Sequence, residues 1–209
     1  MKHKTITFSI IFCLLSACSA PEIRFADKDS VQVSDEPSSR RITSFLEDTH
    51  GYIWIGTERG LNRFNGYEYR QYLHNRKDST SLCSDIVTTL VKDSQGRIWV
   101  GTMDGVCRYE GEDHFRNYTI RESETTVSQI LETSDGAILV NMVRRLYAYN
   151  PSNDEMEVLI DDYTPEGSFR NRSFLDAADR LWSVTPDKVS CYNIRTRQLI
   201  KEQIGRAHV

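Results

Sequence analysis

The sequence predicts an all-β fold, a run of four-stranded blades forming part of a β-propeller ring, on three observations. First, DTHGYIWIGTERGLNRFNG (Asp48–Gly66) returns as DSQGRIWVGTMDGVCRYEG (Asp93–Gly111), with 45 residues separating Trp54 from Trp99, Gly51 from Gly96 and Gly56 from Gly101. Second, two weaker copies follow, Thr133–Asn150 and Asp176–Asn193, with Leu139 and Trp182 at the tryptophan position after steps of 40 and 43 residues. A period in the forties is that of one four-stranded blade. Third, each copy reads as short aromatic and β-branched runs cut by turn residues, with no helical spacing.

The elements follow in chain order. Residues 1–20 read as an export signal: Lys2, His3 and Lys4 precede Ile6–Ala17, an apolar stretch too short to cross a bilayer comfortably. Leu15–Cys18 (LSAC) fits a bacterial lipobox, in which Cys18 would carry lipid. Cleavage after Ala20 is the alternative, and Pro21 disfavours it. Residues 21–41 form an opening strand and lead-in.

Blade 1 is placed at 42–73. ITSFLED (Ile42–Asp48) is its first strand, and Asp48–Gly51 makes a type I turn, with Asp capping the backbone and Gly taking positive φ. YIWIGT (Tyr52–Thr57) is the second strand and LNRF (Leu61–Phe64) the third. Asn65-Gly66 predicts a two-residue hairpin before YEYRQYL (Tyr67–Leu73). The same reading puts blade 2 at 86–120, blade 3 at 127–160 and blade 4 at 170–203. IGRAHV (204–209) matches the in-frame translation of a common sequencing adapter and reads as a non-native tail. The chain is therefore expected to be an N-terminal fragment, with further W-x-G-T copies beyond Gln203 and blade faces left uncovered.

Apolar residues recur seven and ten positions after the tryptophan: Leu61 and Phe64, Val106 and Tyr109, Leu146 and Tyr149, Val189 and Tyr192. Trp54, Gly56, Trp99, Gly101 and Trp182 are accordingly assigned to the structural repeat, the indoles packing between blades. A carbohydrate-stacking role is the alternative, disfavoured because ligand contacts rarely recur in every blade. Recognition is expected instead from loops that vary while the strands repeat. These are Glu58–Gly60, Met103–Gly105, Met142–Arg145 and Thr185–Lys188, with the connectors His74–Asp85, Thr119–Thr126 and Asp161–Asn171 on the same face. Glu58, Arg59, Asp104, Arg144 and Arg145 are the candidate ligand residues, suited to sugar hydroxyls or uronic acids; solvated surface charge is the plainer reading of each.

The net charge of −4 and the lack of a basic cluster argue against a nucleic-acid partner. The histidines (His3, His50, His74, His114, His208) lack metal-ligand spacing, and Asp161-Asp162 reads as solvated surface. The Asp-x-x-Gly turns supply too few oxygens for calcium, and neither a phosphate loop nor a nucleophile elbow occurs. Asn117-Tyr-Thr119 and Asn171-Arg-Ser173 are weak glycosylation sequons. Cys13 lies in the signal; Cys83, Cys107 and Cys191 form an odd set without metal spacing, Cys107 and Cys191 reading as buried free thiols. No catalytic residue, metal or cofactor is assigned.

The segment Ile42–Tyr67 closely resembles the two-component regulator propeller repeat. His74–Val87 (HNRKDSTSLCSDIV) looks like that family's first inter-blade connector, and Glu22–Phe25 (EIRF) is similar to its opening strand, which closes the last blade of the ring. The resemblance covers about 22–203 and weakens where Leu139 replaces Trp and where Asn141 and Val184 replace Gly. It implies a seven-bladed ring, one of two in the periplasmic part of a hybrid sensor histidine kinase. It also implies a homodimer, an oligosaccharide ligand released from a glycan, and a phosphorelay controlling glycan-use genes. Membrane attachment would come through the lipid anchor or through a transmembrane helix beyond this chain. Two alternatives stand beside it: an exported propeller lipoprotein binding a protein or sugar without a kinase, and a propeller lyase, whose D-G-x-L-W rhythm is similar.

Overall fold

The computed structural model describes residues 30–118, 120, 125–142, 145–161, 172–184 and 188–204, which form seventeen strands in four antiparallel sheets. The first sheet contains β1 (Val31–Ser34), β2 (Ile42–Glu47), β3 (Ile53–Thr57), β4 (Gly60–Phe64) and β5 (Tyr69–Tyr72), ordered β1-β5-β4-β3-β2. The second contains β6 (Val87–Lys92), β7 (Ile98–Thr102), β8 (Gly105–Gly111) and β9 (His114–Tyr118). The third contains β10 (Val127–Glu132), β11 (Ile138–Met142), β12 (Leu146–Asn150) and β13 (Glu155–Ile160). The fourth contains β14 (Arg172–Leu175), β15 (Arg180–Val184), β16 (Lys188–Asn193) and β17 (Gln198–Ile204). In the last three sheets the strands lie in sequence order, each paired with the next.

The repeat in sequence is a repeat in register. Trp54 pairs with Leu46, Trp99 with Val91, Leu139 with Leu131 and Trp182 with Phe174, so all four occupy one place in their blades. The turn between the first two strands is built as its residues dictate. Asp48 Oδ1 accepts the amides of His50 and Tyr52, and Gly51 takes φ +83°. In the fourth blade Asp179 stands at the glycine position, also left-handed at φ +55°. Its carboxylate accepts the amide and the hydroxyl of Ser134 from the preceding blade, at 2.8 and 2.5 Å.

Two features depart from the sequence expectation. The Asn65-Gly66 hairpin has a four-residue loop, because Phe64 pairs with Tyr69. Asn65 Oδ1 accepts the amides of Tyr67 and Glu68, which keeps both out of the ladder. In addition, β1 sits on the outer edge of the first blade, Val31 opposite Tyr72; the EIRF segment assigned to ring closure lies outside the described residues.

The two middle blades pack by both faces and the first and fourth by one, the pleat sending alternate side chains to opposite faces. Trp54, Leu61 and Tyr72 form one core with Val87, Leu90, Ile98, Val100 and Phe115 of the second blade. Trp99, Val106 and Tyr118 pack against Val127, Ile130, Ile138 and Val140 of the third, and Leu139, Leu146 and Ile160 against Leu181 and Tyr192 of the fourth. Gly56 and Gly101 admit these contacts: a Cβ on Gly101 would lie 2.6 Å from both Thr89 Cγ2 and Val127 Cγ1. The outer faces are open. Phe45, equivalent in register to the buried Leu90 and Ile130, is 75 % exposed, and Phe174, on the tryptophan face of the fourth blade, is 51 % exposed.

Candidate functional site: the loop face

In the first two blades the loops between second and third strands are short and share one construction. Thr57 Oγ1 donates to Gly60 O at 2.8 Å and accepts the Arg59 amide; Thr102 Oγ1 does the same with Gly105 O and the Asp104 amide. A buried threonine thus closes both loops from inside and turns the two residues before the glycine outward; in the third blade Met142 stands in its place. The connectors lie against these loops: Gly60 N donates to Asp85 O and Met103 N to Ile86 O. Thr125 and Thr126 hydroxyls both donate to Met103 O.

Of the candidate ligand residues, Glu58, Arg59 and Asp104 are exposed on this face. Glu58 accepts from Arg41 Nη1 at 3.0 Å, a partner the sequence reading had not picked out. Arg145 is half-buried and its Nε donates to Asp161 Oδ1 at 2.6 Å, tying the loop of the third blade to the connector that follows. Such exposed pairs contribute about 0–1 kcal/mol each, so a ligand carboxylate or hydroxyl could displace either partner at little cost. Arg144 and Cys18 lie outside the described residues, as do most of the third connector and the loop at 185–187.

Of the structural repeat residues, the three tryptophans lie toward the opposite, turn end of the strands. Trp54 and Trp99 are fully buried, and Trp182 is half-buried with its ring stacked on Phe174. Each indole N–H donates to the aspartate that begins its turn: Trp54 to Asp48 and Trp99 to Asp93 at 2.8 Å, Trp182 to Asp176 at 3.0 Å. The Trp182 bond, foremost among the interactions there, holds the Asp176 carboxyl well below its usual range. Burial pushes Asp93 upward, but hydrogen bonds from Trp99 and Arg97 outweigh it and leave this carboxyl lowered as well.

A second repeated device, unread in the sequence, joins outer strands to the next blade. Arg70 Nε donates to Asp113 Oδ1 at 2.7 Å, its Nη2 meets Asp113 Oδ2, and the Tyr72 hydroxyl donates to Oδ1. One blade later Arg116 and Tyr118 reach Asp154 at 3.0 and 2.9 Å. Between the third and fourth blades this clasp is not repeated: Glu157 stands at the arginine position and accepts from Asn150 and Asn153 of its own blade, which, with the charge of Arg197 as a smaller cause, lower its carboxyl. Asp113, Asp154 and Arg197 all have positive φ just ahead of the outer strand. The sequence signal was an arginine two residues before an outer-strand tyrosine, present in the first two blades alone.

Cys107 and Cys191 are buried and Cys83 half-buried, all as free thiols. Cys83 Sγ lies 3.3 Å from Thr102 Oγ1, and burial pushes the Cys107 thiol upward. Among the described residues no group of three or more His, Cys, Asp or Glu side chains could hold a metal ion, and no helix is long and apolar enough to cross a membrane.

Sequential blades of four strands, the first with an added edge strand, stacked face to face with an indole in the first two joints, define a β-propeller. The two-component regulator propeller family matches residues 36–59 and 81–104, which lie in and just ahead of the inner strands of its first two blades. The chain is 34 % identical over 77 residues to histidine kinase P4 of Formosa agariphila, a match covering 36 % of this chain and 6 % of that protein. Among solved structures it is similar to the extracellular domain of a hybrid two-component system of B. thetaiotaomicron (TM-score 0.56, 15 % identity, 81 % of this chain and 31 % of that one). It is also similar to a virginiamycin B lyase of Staphylococcus aureus (TM-score 0.60, 13 % identity, 83 % and 59 %). At these identities the structural likenesses establish the propeller fold, and the chain spans well under two thirds of each of these proteins.

Proposed function

We propose that this propeller is part of the extracytoplasmic sensor of a two-component system, and that it binds a glycan-derived ligand on its loop face to regulate a phosphorelay. The observation that carries the reading is the pair of two-component regulator propeller repeats. Their threonine-closed loops present Glu58, Arg59 and Asp104 outward from a rigid blade. Fixed backbones with variable exposed charges suit recognition of a polar ligand. The open faces at Phe45 and Phe174 support further blades, completing a ring of about seven. Export is expected from the basic and apolar N-terminal segment, with Cys18 carrying the lipid anchor. In this reading the whole protein acts as a homodimeric histidine kinase, while these blades bind and carry no catalytic group.

The test is calorimetric titration of the complete sensor with uronic-acid and neutral glycan fragments, repeated with Arg59→Ala and Arg145→Ala combined. Affinity should fall about tenfold or more; unchanged affinity would remove the ligand from this face. For the anchor, Cys18→Ser should release the protein from membranes and abolish labelling by a fatty-acid analogue. A parent protein that takes no label would make cleavage after Ala20 the route of export.

A further inference from the structure

In the first two blades the joint to the next blade is filled by one aromatic assembly. Trp54 stacks on Tyr72 with centroids 5.7 Å apart, donates to Asp48, and lies under the Arg63 guanidinium at 5.7 Å. Trp99 repeats this with Tyr118 at 5.6 Å, Asp93, and Arg108 at 5.4 Å. The strand register fixes the equivalent positions in the third blade, and all four are changed. Leu139 stands for tryptophan, Thr133 for aspartate, Ala148 for arginine and Ile160 for tyrosine.

The position that an indole fills in the first two blades is here a partly open pocket of about 160 Å³, walled by Leu139, Ala148, Leu159 and Ile194, with Asp135 and Arg195 in its polar lining. The blades do not close over it because they are held apart on two sides. At the inner strand Gln129 exchanges hydrogen bonds with the Ser173 backbone at 2.9 and 3.0 Å. At the turn Ser134 is fixed to Asp179. An enclosed apolar cavity of about 150 Å³ accommodates benzene, and this pocket, similar in volume but open to solvent on one side, suits one small ring system with its edge exposed. At the mouth Asp135 Oδ2 lies 3.8 Å from Arg195 Nη2, both side chains largely exposed, offering one acceptor and one donor to a polar substituent.

We infer that the joint between the third and fourth blades is a binding site for a small aromatic molecule of about indole size, its ring in the vacated tryptophan position and its polar edge toward Asp135 and Arg195. This site opens at the turn end of the strands, opposite the loop face, so it stands or falls independently of the glycan reading.

Indole is the probe. Saturation-transfer NMR and calorimetry on the protein should show saturable binding, weakened at least about tenfold by Leu139→Trp, which refills the joint, and by Ala148→Arg, which restores the guanidinium over it. Leu139→Trp should also match or exceed the parent in melting temperature. If that variant fails to fold, Ala148→Arg alone decides. Absence of saturable binding to the parent up to about 10 mM would overturn the inference, as would equal binding to the parent and to the folded variants.

Discussion

Truncating Trp99 to alanine tests the joint that holds successive blades together. The side chain is wholly buried, stacks on Tyr118, meets Tyr149 edge-on at 5.0 Å, and donates to Asp93 at 2.8 Å. Loss of a buried tryptophan costs about 3–5 kcal/mol, and each aromatic pair accounts for about 0.5–1.5 kcal/mol of that. Asp93 Oδ2 is not orphaned, because Arg97 Nε still donates to it at 2.6 Å. The hydrogen-bond contribution therefore falls at the low end of the range for charged acceptors, about 1.5 kcal/mol. Trp99→Phe should lose little more than that, while Trp99→Ala should cost about 4 kcal/mol. At roughly 2–4 °C per kcal/mol for a domain of this size, the alanine variant should melt roughly 8–16 °C lower. Trp182 offers the internal control. It has the same aspartate bond but is only half-buried against Phe174, so Trp182→Ala should cost about 1–2 kcal/mol. The assay is thermal and urea denaturation followed by far-UV circular dichroism. A Trp182→Ala loss equal to that of Trp99→Ala, or a Trp99→Ala loss below about 1 kcal/mol, would refute the assignment of the indole to inter-blade packing.

Three further outcomes are expected. Gly101→Ala should destabilise by about 1–3 kcal/mol, since its Cβ would meet two stiff β-branched side chains at 2.6 Å; a neutral change in melting temperature would mean the blades can separate freely. Asp113 is raised by burial but lowered more by the Arg70 hydrogen bonds and charge, and Asp93 and Asp176 are lowered too. Carboxyls lowered in the folded state contribute stability above the unfolded value of about 3.9 and lose it as pH falls through their folded values. The urea midpoint should thus decline below about pH 4, and a flat profile down to about pH 2 would sink this account. Arg70→Glu should weaken the first clasp, and adding Asp113→Arg should recover about 0.5–1 kcal/mol by restoring a pair of opposite charges; a double variant no better than the sum of its singles would show that the charges do not couple.

The blade is legible in the sequence alone. Periodicity, the Asp-x-x-Gly turn and the recurring tryptophan are local or repeated signals, and a signal repeated four times can be read without knowing where the chain goes. The sequence also singled out Leu139 as the position where the pattern fails. What that failure does was decided by tertiary structure, because Thr133, Leu139, Ala148 and Ile160 come together only when strand register sets them around one volume. The same holds for the clasps. Arg70 and Asp113 are 43 residues apart, and no local rule links an outer-strand arginine to a hairpin aspartate of the following blade. The hairpin at Asn65 was misread for the converse reason: Asn-Gly favours a tight turn, but Asn65 Oδ1 captured two amides and lengthened the loop. Propensity fixed which residues turn and which extend; which side chains meet was set by the stacking of one blade on the next, a long-range fact carried by no single stretch of the chain.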